Sequence, residues 1–277
     1  PNTKRIVDQS QLRGINYVFW DTDRPQANRI AWDFESPRID LGDDTIEPTA
    51  VFLRYNVFDG DPDQNLAAFE LVQAFVFAWP NIRLLNRDSM TDSNNQSRNL
   101  RIAIDVGLEI PETLVLGDLT PLSTIPDPTR RAIKPINGGA HTQAVEDVYQ
   151  DIDTLRAMGP QFVQTKLQGE NLRLFVIGGK PFCFHLKTTK LDYREDDDVT
   201  VHQVDTPSSI VQPSMNLVAR TRFDYCALDF RCRREMEEPV FLEVNSFPMF
   251  VRFDDAGQNC LADAMLEFLV AEQGQTA

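Results

Sequence analysis

Apolar residues recur along the chain with two periods, and the switch between them marks its elements. Alternation is cleanest near the C-terminal end. Val240, Leu242 and Val244 would line one face of a strand, with Phe241, Glu243 and Asn245 on the other. Residues 227–231 read as the strand before it, and the polar stretch 233–238 as the turn between them. Further strands are expected at 17–20, 50–55, 82–86 and 132–134, then in quick succession at 162–167, 172–177, 181–187 and 199–204. Gly178 and Gly179 are a tight hairpin signal. Helical spacing appears in Leu66, Phe69, Val72 and Val76 after a start at Asp61 and Pro62. It returns over 96–106, with Leu100, Ala103 and Ile104 on one face and Gly107 as the cap. One helix carries Val145, Val148, Ile152 and Leu155, another lies near 215–219, and a last one presents Leu261, Ala264, Met265, Phe268 and Leu269. Strand, helix and strand over 50–86 suggest a small α/β lobe. The rest of the first 45 or so residues shows little periodicity.

Composition narrows the classes. The 277 residues allow one large or two small domains, and 42% hydrophobic content suffices for a core. No apolar run is long enough to span a bilayer, and no secretory leader opens the sequence, so no membrane is expected. The four cysteines lack CxxC spacing and read as reduced thiols, which points to the cytoplasm. With three histidines, a structural zinc site is not expected. A net charge of −15 argues against nucleic acid and for a basic partner. The acidic run Glu195, Asp196, Asp197 and Asp198 is either a solvated loop or a contact for a cationic acceptor. Where the natural chain begins is left open by Pro1, and the residues leave the oligomeric state open, a homodimer included.

Candidate chemistry gathers at the strand ending in Asn245. Glu243 and Asn245 would sit ~7 Å apart on one face, at ~3.3 Å per residue. A carboxylate and an amide are usable oxygen ligands for a hard cation such as Mg2+. Asp229 would add a second carboxylate if the two strands pair; a lone strand Glu more often faces water. Upstream, Lys134 ends a strand and leads through Pro135 to Gly138 and Gly139. Glycines let backbone N–H groups approach phosphate oxygens, with Lys134 as adjacent positive charge. No Gly-Lys-Ser/Thr follows, so this is not a Walker loop.

In this order the segments resemble the ATP-grasp superfamily, over roughly residues 82–270. Leu228-Asp229-Phe230 with Phe241-Leu242-Glu243-Val244-Asn245-Ser246 is similar to its metal-binding strands, which implies Asp229, Glu243 and Asn245 as ligands of Mg2+ on ATP phosphates. Lys134-Pro135 with Gly138-Gly139 resembles its loop over the triphosphate, and two glycines in a polar turn, with few packing constraints, are expected to make it a mobile lid. The segment 162–179 resembles the adenine hinge and following strand of the peptide-ligating branch, with Gln164, Thr165, Lys166 and Leu167 at the hinge. Arg173 would serve the acyl-phosphate or substrate, and Lys187 would stand near the γ-phosphate; Asn171 replaces a frequent Asp. The usual Lys at the start of the preceding helix is absent. Gln96 stands there, with Arg98 and Arg101 nearby.

The resemblance implies an ATP-grasp fold of mixed α+β and α/β class, in which two subdomains clamp ATP. An N-terminal lobe would cover 1–90, the subdomain with the Gly-rich loop 91–160, and the subdomain with hinge and metal strands 161–277. The branches nearest in character include ribosomal-protein glutamate ligases and microviridin-type peptide macrocyclases. The implied activity is ATP- and Mg2+-dependent ligation of a small-molecule or peptide carboxylate to an amine, or less often to a hydroxyl or thiol, through an acyl-phosphate. The alternatives are a small-molecule kinase on the same fold and a nucleotide-binding protein without ligase chemistry, the latter motivated by Gln96.

Overall fold

Polar side chains seat the first helix, α1 (Asn2–Leu12), whose buried residues are Asn2, Ile6, Gln9 and Ser10. The computed structural model describes residues 2–21, 29–55, 61–90, 94–136 and 141–271. With one apolar residue among those four, α1 leaves no periodic trace in the sequence. The expected strand at 17–20 does not form, and Tyr17, Val18 and Phe19 are exposed. Strand propensity without a partner strand is not enough. A meander follows instead: β1 (Ile30–Trp32), β2 (Ile39–Leu41) and β3 (Asp44–Ile46), all antiparallel. Its three-residue strands are too short to show alternation. Ile30, Trp32, Ile39, Leu41 and Ile46 nonetheless pack on Val72, Phe75, Val76, Ile82 and Leu84. β4 (Ala50–Val51) is shorter than the six residues expected. α2 (Pro62–Ala78) begins where the cap signals place it, with the Asp61 side chain accepting from the backbone N–H of Asp63 and Gln64. β5 (Arg83–Leu84) then pairs parallel with β4.

α3 (Gln96–Asp105) is capped by Asn95. β6 (Thr113–Leu116), β7 (Arg131–Pro135), β8 (Gln143–Ala144) and β9 (Gln161–Thr165) form a sheet in the order β6-β9-β7-β8. The expected single helix over 145–155 is split into α4 (Val145–Val148) and α5 (Ile152–Ala157). Asp151 causes the break, because its side chain caps α5 by accepting from Thr154 N–H. β10 (Asn171–Ile177), β11 (Lys180–Lys187), β12 (Thr200–Val204), α6 (Ser208–Thr221), β13 (Tyr225–Arg234) and β14 (Glu237–Asn245) follow. Their strands make a second sheet, ordered β12-β11-β10-β13-β14. Gly178 and Gly179, both at positive φ, turn β10 into β11. α7 (Val251–Ala256) and α8 (Cys260–Val270) end the described chain.

Contacts divide the chain into two units, Pro1–Thr91 with Phe223–Tyr225 and Met249–Ala277, and Asp92–Arg222 with Cys226–Pro248. In the first, fully buried Asp254 accepts from the N–H groups of Leu261 and Ala262 at the start of α8 and from Arg5 of α1. Buried Asn86 sits at φ 61, where its side-chain oxygen accepts from Asp224 and Tyr225 N–H, each at 2.8 Å. Its own N–H donates to Asp224 at 2.9 Å, and burial pushes the Asp224 carboxyl up to about 6. In the second unit Gly169 lies against β13, where an added Cβ would stand 2.5 Å from the Cys232 carbonyl oxygen. No described helix is long and apolar enough to cross a membrane. All four cysteines are free, and burial raises the Cys183 thiol to about 12.

Two changes test this packing. Gly169→Ala forces sheet backbone apart and should lower the unfolding free energy in urea by about 1–3 kcal/mol. Asp224 favours the protonated form when folded, so its contribution is complete below 3.8 and is lost as pH rises through about 6. Asp224→Asn keeps an acceptor for Asn86 and removes the charge. Its thermal midpoint should exceed that of the parent above pH 6 and match it below 3.8.

Candidate active site

β13 and β14 set Asp229 directly opposite Glu243, and Ala227 opposite Asn245. Opposed residues on paired strands project from the same face. The register then shifts between Asp229 and Phe230, so that Phe230 faces Phe241 and Leu242 is the extra residue. This bulge corrects the simple alternation. Phe241 turns away from Glu243 and packs edge-on against Phe230, with ring centroids 5.7 Å apart. Glu243 and Asn245 keep the shared face. Asn245 Nδ2 donates to Asp229 Oδ2 at 3.1 Å and to Glu243 Oε1 at 3.2 Å.

Two cations face the carboxylates. Arg173, two residues into β10, donates through Nη1 to both Asp229 oxygens, at 3.0 and 3.1 Å, and to the Tyr193 hydroxyl. Lys134 of β7 forms an ion pair with Glu243. The side chains of Asp229, Glu243, Lys134 and Arg173 are 14, 17, 15 and 7% exposed. Burial therefore pushes the Asp229 carboxyl up, opposed by Arg173, Lys134 and Arg194. The same desolvation lowers the Lys134 ammonium to about 8. Tyr193 and Arg194 sit on a short 3-10 turn capped by Asp192. Burial raises the Tyr193 phenol to about 12. Burial also works against the Asp192 charge, but bonds from Arg194 at 2.5 and 2.9 Å outweigh it and hold the carboxyl down at about 2.

Among the described residues no group of three or more His, Cys, Asp or Glu could hold a metal ion. The donor set here is instead two carboxylates and one amide, all able to offer oxygen, which suits Mg2+. As placed, the Asn245 amide turns its nitrogen to both carboxylates. Rotating that amide would put its oxygen at the same point, an arrangement of three oxygens that only a cation favours. The residues present fit the ion on this ground.

The remaining expected residues fall into four groups. Gln164 is buried in β9 and donates to Thr113 Oγ1 at 3.0 Å. Thr165 N–H donates to the Glu112 carbonyl and Lys166 N–H to the Arg130 carbonyl, at 3.0 and 2.9 Å, so these two amides hold their own sheet. Lys166 Nζ binds Glu146 at 2.8 Å, and Leu167 is buried beside it. Lys187 is not brought to the cluster. Arg173 pairs with Phe184, so Lys187, three residues on, projects from the opposite face and is exposed. Gly138 and Gly139 lie outside the described residues. Gln96 is buried at the start of α3, while Arg98 and Arg101 are exposed.

Asp192, Tyr193 and Arg194 were not signalled by pattern, since an aromatic and a cation inside an acidic stretch look like solvated loop. Of the acidic run, Asp196 serves the loop itself, accepting from Thr188 Oγ1 at 2.5 Å and from Thr189 and Asp198 N–H at 3.1 Å. Glu195 and Asp192 each lie 3.5 Å from His141 Nδ1.

No protein-family model matches the sequence, and no curated protein does. Solved structures match it in shape. The macrocyclase MdnC from Microcystis aeruginosa MRC, bound with the precursor peptide MdnA, superposes with a TM-score of 0.76 over 98% of this chain and 96% of that one, at 20% identity. The ATP-grasp ligase PsnB, complexed with minimal precursor, Mg and ADP, gives 0.73 over 96% and 94%, at 19% identity. A RiPP-associated ATP-grasp ligase from Chryseobacterium gregarium, in complex with ADP and a leader and core peptide, gives 0.74 over 96% and 92%, also at 19% identity. The chain therefore has the ATP-grasp fold.

The Arg173–Asp229 pair makes a pH-dependent prediction. Arg173→Met leaves an uncompensated buried carboxylate and should cost about 3–5 kcal/mol near neutrality. Arg173 lowers the Asp229 pKa, so its loss raises that value further. Protonated Asp229 needs no cation, and the deficit should therefore shrink as pH falls. Urea unfolding of both proteins across acidic pH reads this directly; a deficit that ignores pH would show the pair to be packing alone.

Proposed function

We propose that this chain is an ATP-dependent carboxylate–amine ligase working through an acyl-phosphate, with a peptide as the carboxylate substrate. The observation that carries this reading is the convergence of Asp229, Glu243 and Asn245 with Arg173 and Lys134 on an ATP-grasp fold. Solved structures of like fold hold Mg with ADP, and precursor peptides, which supports the choice of cofactor and substrate.

In this assignment Asp229, Glu243 and Asn245 would hold Mg2+, whose charge would offset that of the phosphate oxygens. Lys134 adds a fixed positive charge beside the phosphates, with the backbone of Gly138 and Gly139 as further donors. Gln164, Thr165, Lys166 and Leu167 would form the adenine edge of the site through groups other than the Thr165 and Lys166 amides, which hold their own sheet. Arg173 orients the reacting carboxylate and the acyl-phosphate, and Tyr193 buttresses it. A substrate carboxylate oxygen bonds to the γ-phosphorus as the bond to ADP breaks. The amine nitrogen then bonds to the acyl carbon, phosphate departs with the former carboxylate oxygen, and the amine proton passes to solvent or phosphate. Lys187, on the far face, has no part.

The expected outcome is release of ADP and free phosphate in equal amounts only when a peptide substrate is present, with a product lighter by one water per bond formed. A kinase would give ADP without free phosphate, and a protein without chemistry would give neither. Glu243→Gln keeps size and an acceptor for Lys134 but removes a charge. It should lower turnover on the order of 100-fold, and because Lys134 loses its counter-charge the thermal midpoint should fall as well. Turnover equal to the parent would remove Glu243 from the site.

A further inference from the structure

β14 is the outer strand of its sheet, so half of its backbone groups face away from β13. Two of these are tethered from outside. Phe241 N–H donates to the Glu109 carbonyl at 2.7 Å. The Val244 carbonyl accepts from Asn94 Nδ2 and from Gln96 Nε2, both at 2.9 Å. Asn94 is held in turn, because Asn99 Nδ2 donates to its Oδ1 at 2.7 Å. The two tethers bracket the bulge at Leu242 and the residue that follows it, Glu243. A bulge interrupts the ladder, so this is where β14 has the least help from β13 in fixing its peptide planes. Val244 lies between Glu243 and Asn245, and turning its carbonyl would swing those two side chains relative to one another.

Gln96 accepts an unfavourable arrangement to do this. Its Oε1 is buried without a hydrogen-bond partner among the described residues. Flipping the amide would set that oxygen against the Val244 carbonyl, so the orientation is dictated by the carbonyl it holds. Asn94 already satisfies that carbonyl, and satisfaction alone does not call for Gln96.

We infer that Asn94, Gln96 and Asn99 form a carboxamide clamp whose task is to position Glu243 and Asn245 for the cation, and that Gln96 is a positioning residue rather than a phosphate contact. The inference rests on the function proposed above. Groups that orient metal ligands from behind change metal affinity by roughly 10–100-fold when removed.

Calorimetry of ADP binding, once with Mg2+ and once with a chelator, tests it on the parent, Gln96→Leu and Asn94→Ala. Gln96→Leu removes the donor and the orphaned oxygen together. Its thermal midpoint should equal or exceed that of the parent, while affinity with Mg2+ falls roughly tenfold and affinity with chelator stays the same. Asn94→Ala, at the other donor, should shift the Mg2+ measurement in the same direction, and it decides the matter if Gln96→Leu does not fold. Unchanged Mg2+-dependent affinity in both variants overturns the clamp. So does an equal loss with and without the cation, which would make Gln96 a direct phosphate contact. A parent protein that binds ADP equally in both conditions overturns the proposed function itself, a result distinct from either.

Discussion

Two carboxylates directly opposite each other on paired strands are the constraint on which the second unit turns. Asp229 and Glu243 share one sheet face and are largely buried. Like charges in that position repel, and burial weakens the water that would screen them. Each carboxylate therefore has its own cation, and each cation comes from a different strand: Arg173 from β10, Lys134 from β7. Asn245 then bridges the pair with one amide nitrogen. Removing any one of the four charged groups leaves a largely buried charge without its partner. A cluster with that dependence is a poor device for stability and a good one for a site that must accept a further cation.

The backbone around this pair is arranged to keep it in register. The bulge at Leu242 sends Phe241 into the core with Phe230 and lets Glu243 remain beside Asp229. Gly169 admits the β13 backbone at a distance no side chain would tolerate, while Arg231 Nε donates to the Gly169 carbonyl at 3.1 Å. Glu170 N–H and the Glu235 carbonyl, and Cys232 N–H and the Glu170 carbonyl, extend the same junction. The strand carrying Asp229 is thus held from both edges along its length, by β14 on one side and by the start of β10 on the other.

What was legible in the sequence was whatever depends on one residue's neighbours along the chain. Asp61 and Pro62 announced α2, Gly178 and Gly179 announced the β10–β11 turn, and Glu-x-Asn on an alternating strand announced the shared face of Glu243 and Asn245. What depends on a partner distant in sequence was silent. α1 is fixed by Arg5, Gln9 and Arg13 to acidic groups some 250 residues away, through bonds that no hydrophobic period reports. The segment 17–20 has strand composition and no partner strand among the described residues. Lys187 has the expected charge, but register places it on the wrong face. Tyr193 and Arg194 reach the cluster because Asp192 ends a loop there, which composition reads only as acidic.

The pairing of Lys134 with Glu243 gives the site its internal logic under the proposed function. Desolvation already lowers the Lys134 ammonium to about 8, so near neutrality it keeps its proton with little margin and mainly by virtue of the anions around it. A cation bound by Glu243 would take over that carboxylate and leave Lys134 buried and unpaired. Such a lysine must lose its proton or meet another anion. The phosphates that accompany the cation are that anion, so Lys134 exchanges one partner for another and stays charged. Under that assignment, cation and phosphate binding would be coupled through this one side chain, since either alone would leave a charge unbalanced. A requirement for both together would then rest on the burial of Lys134 beside Glu243.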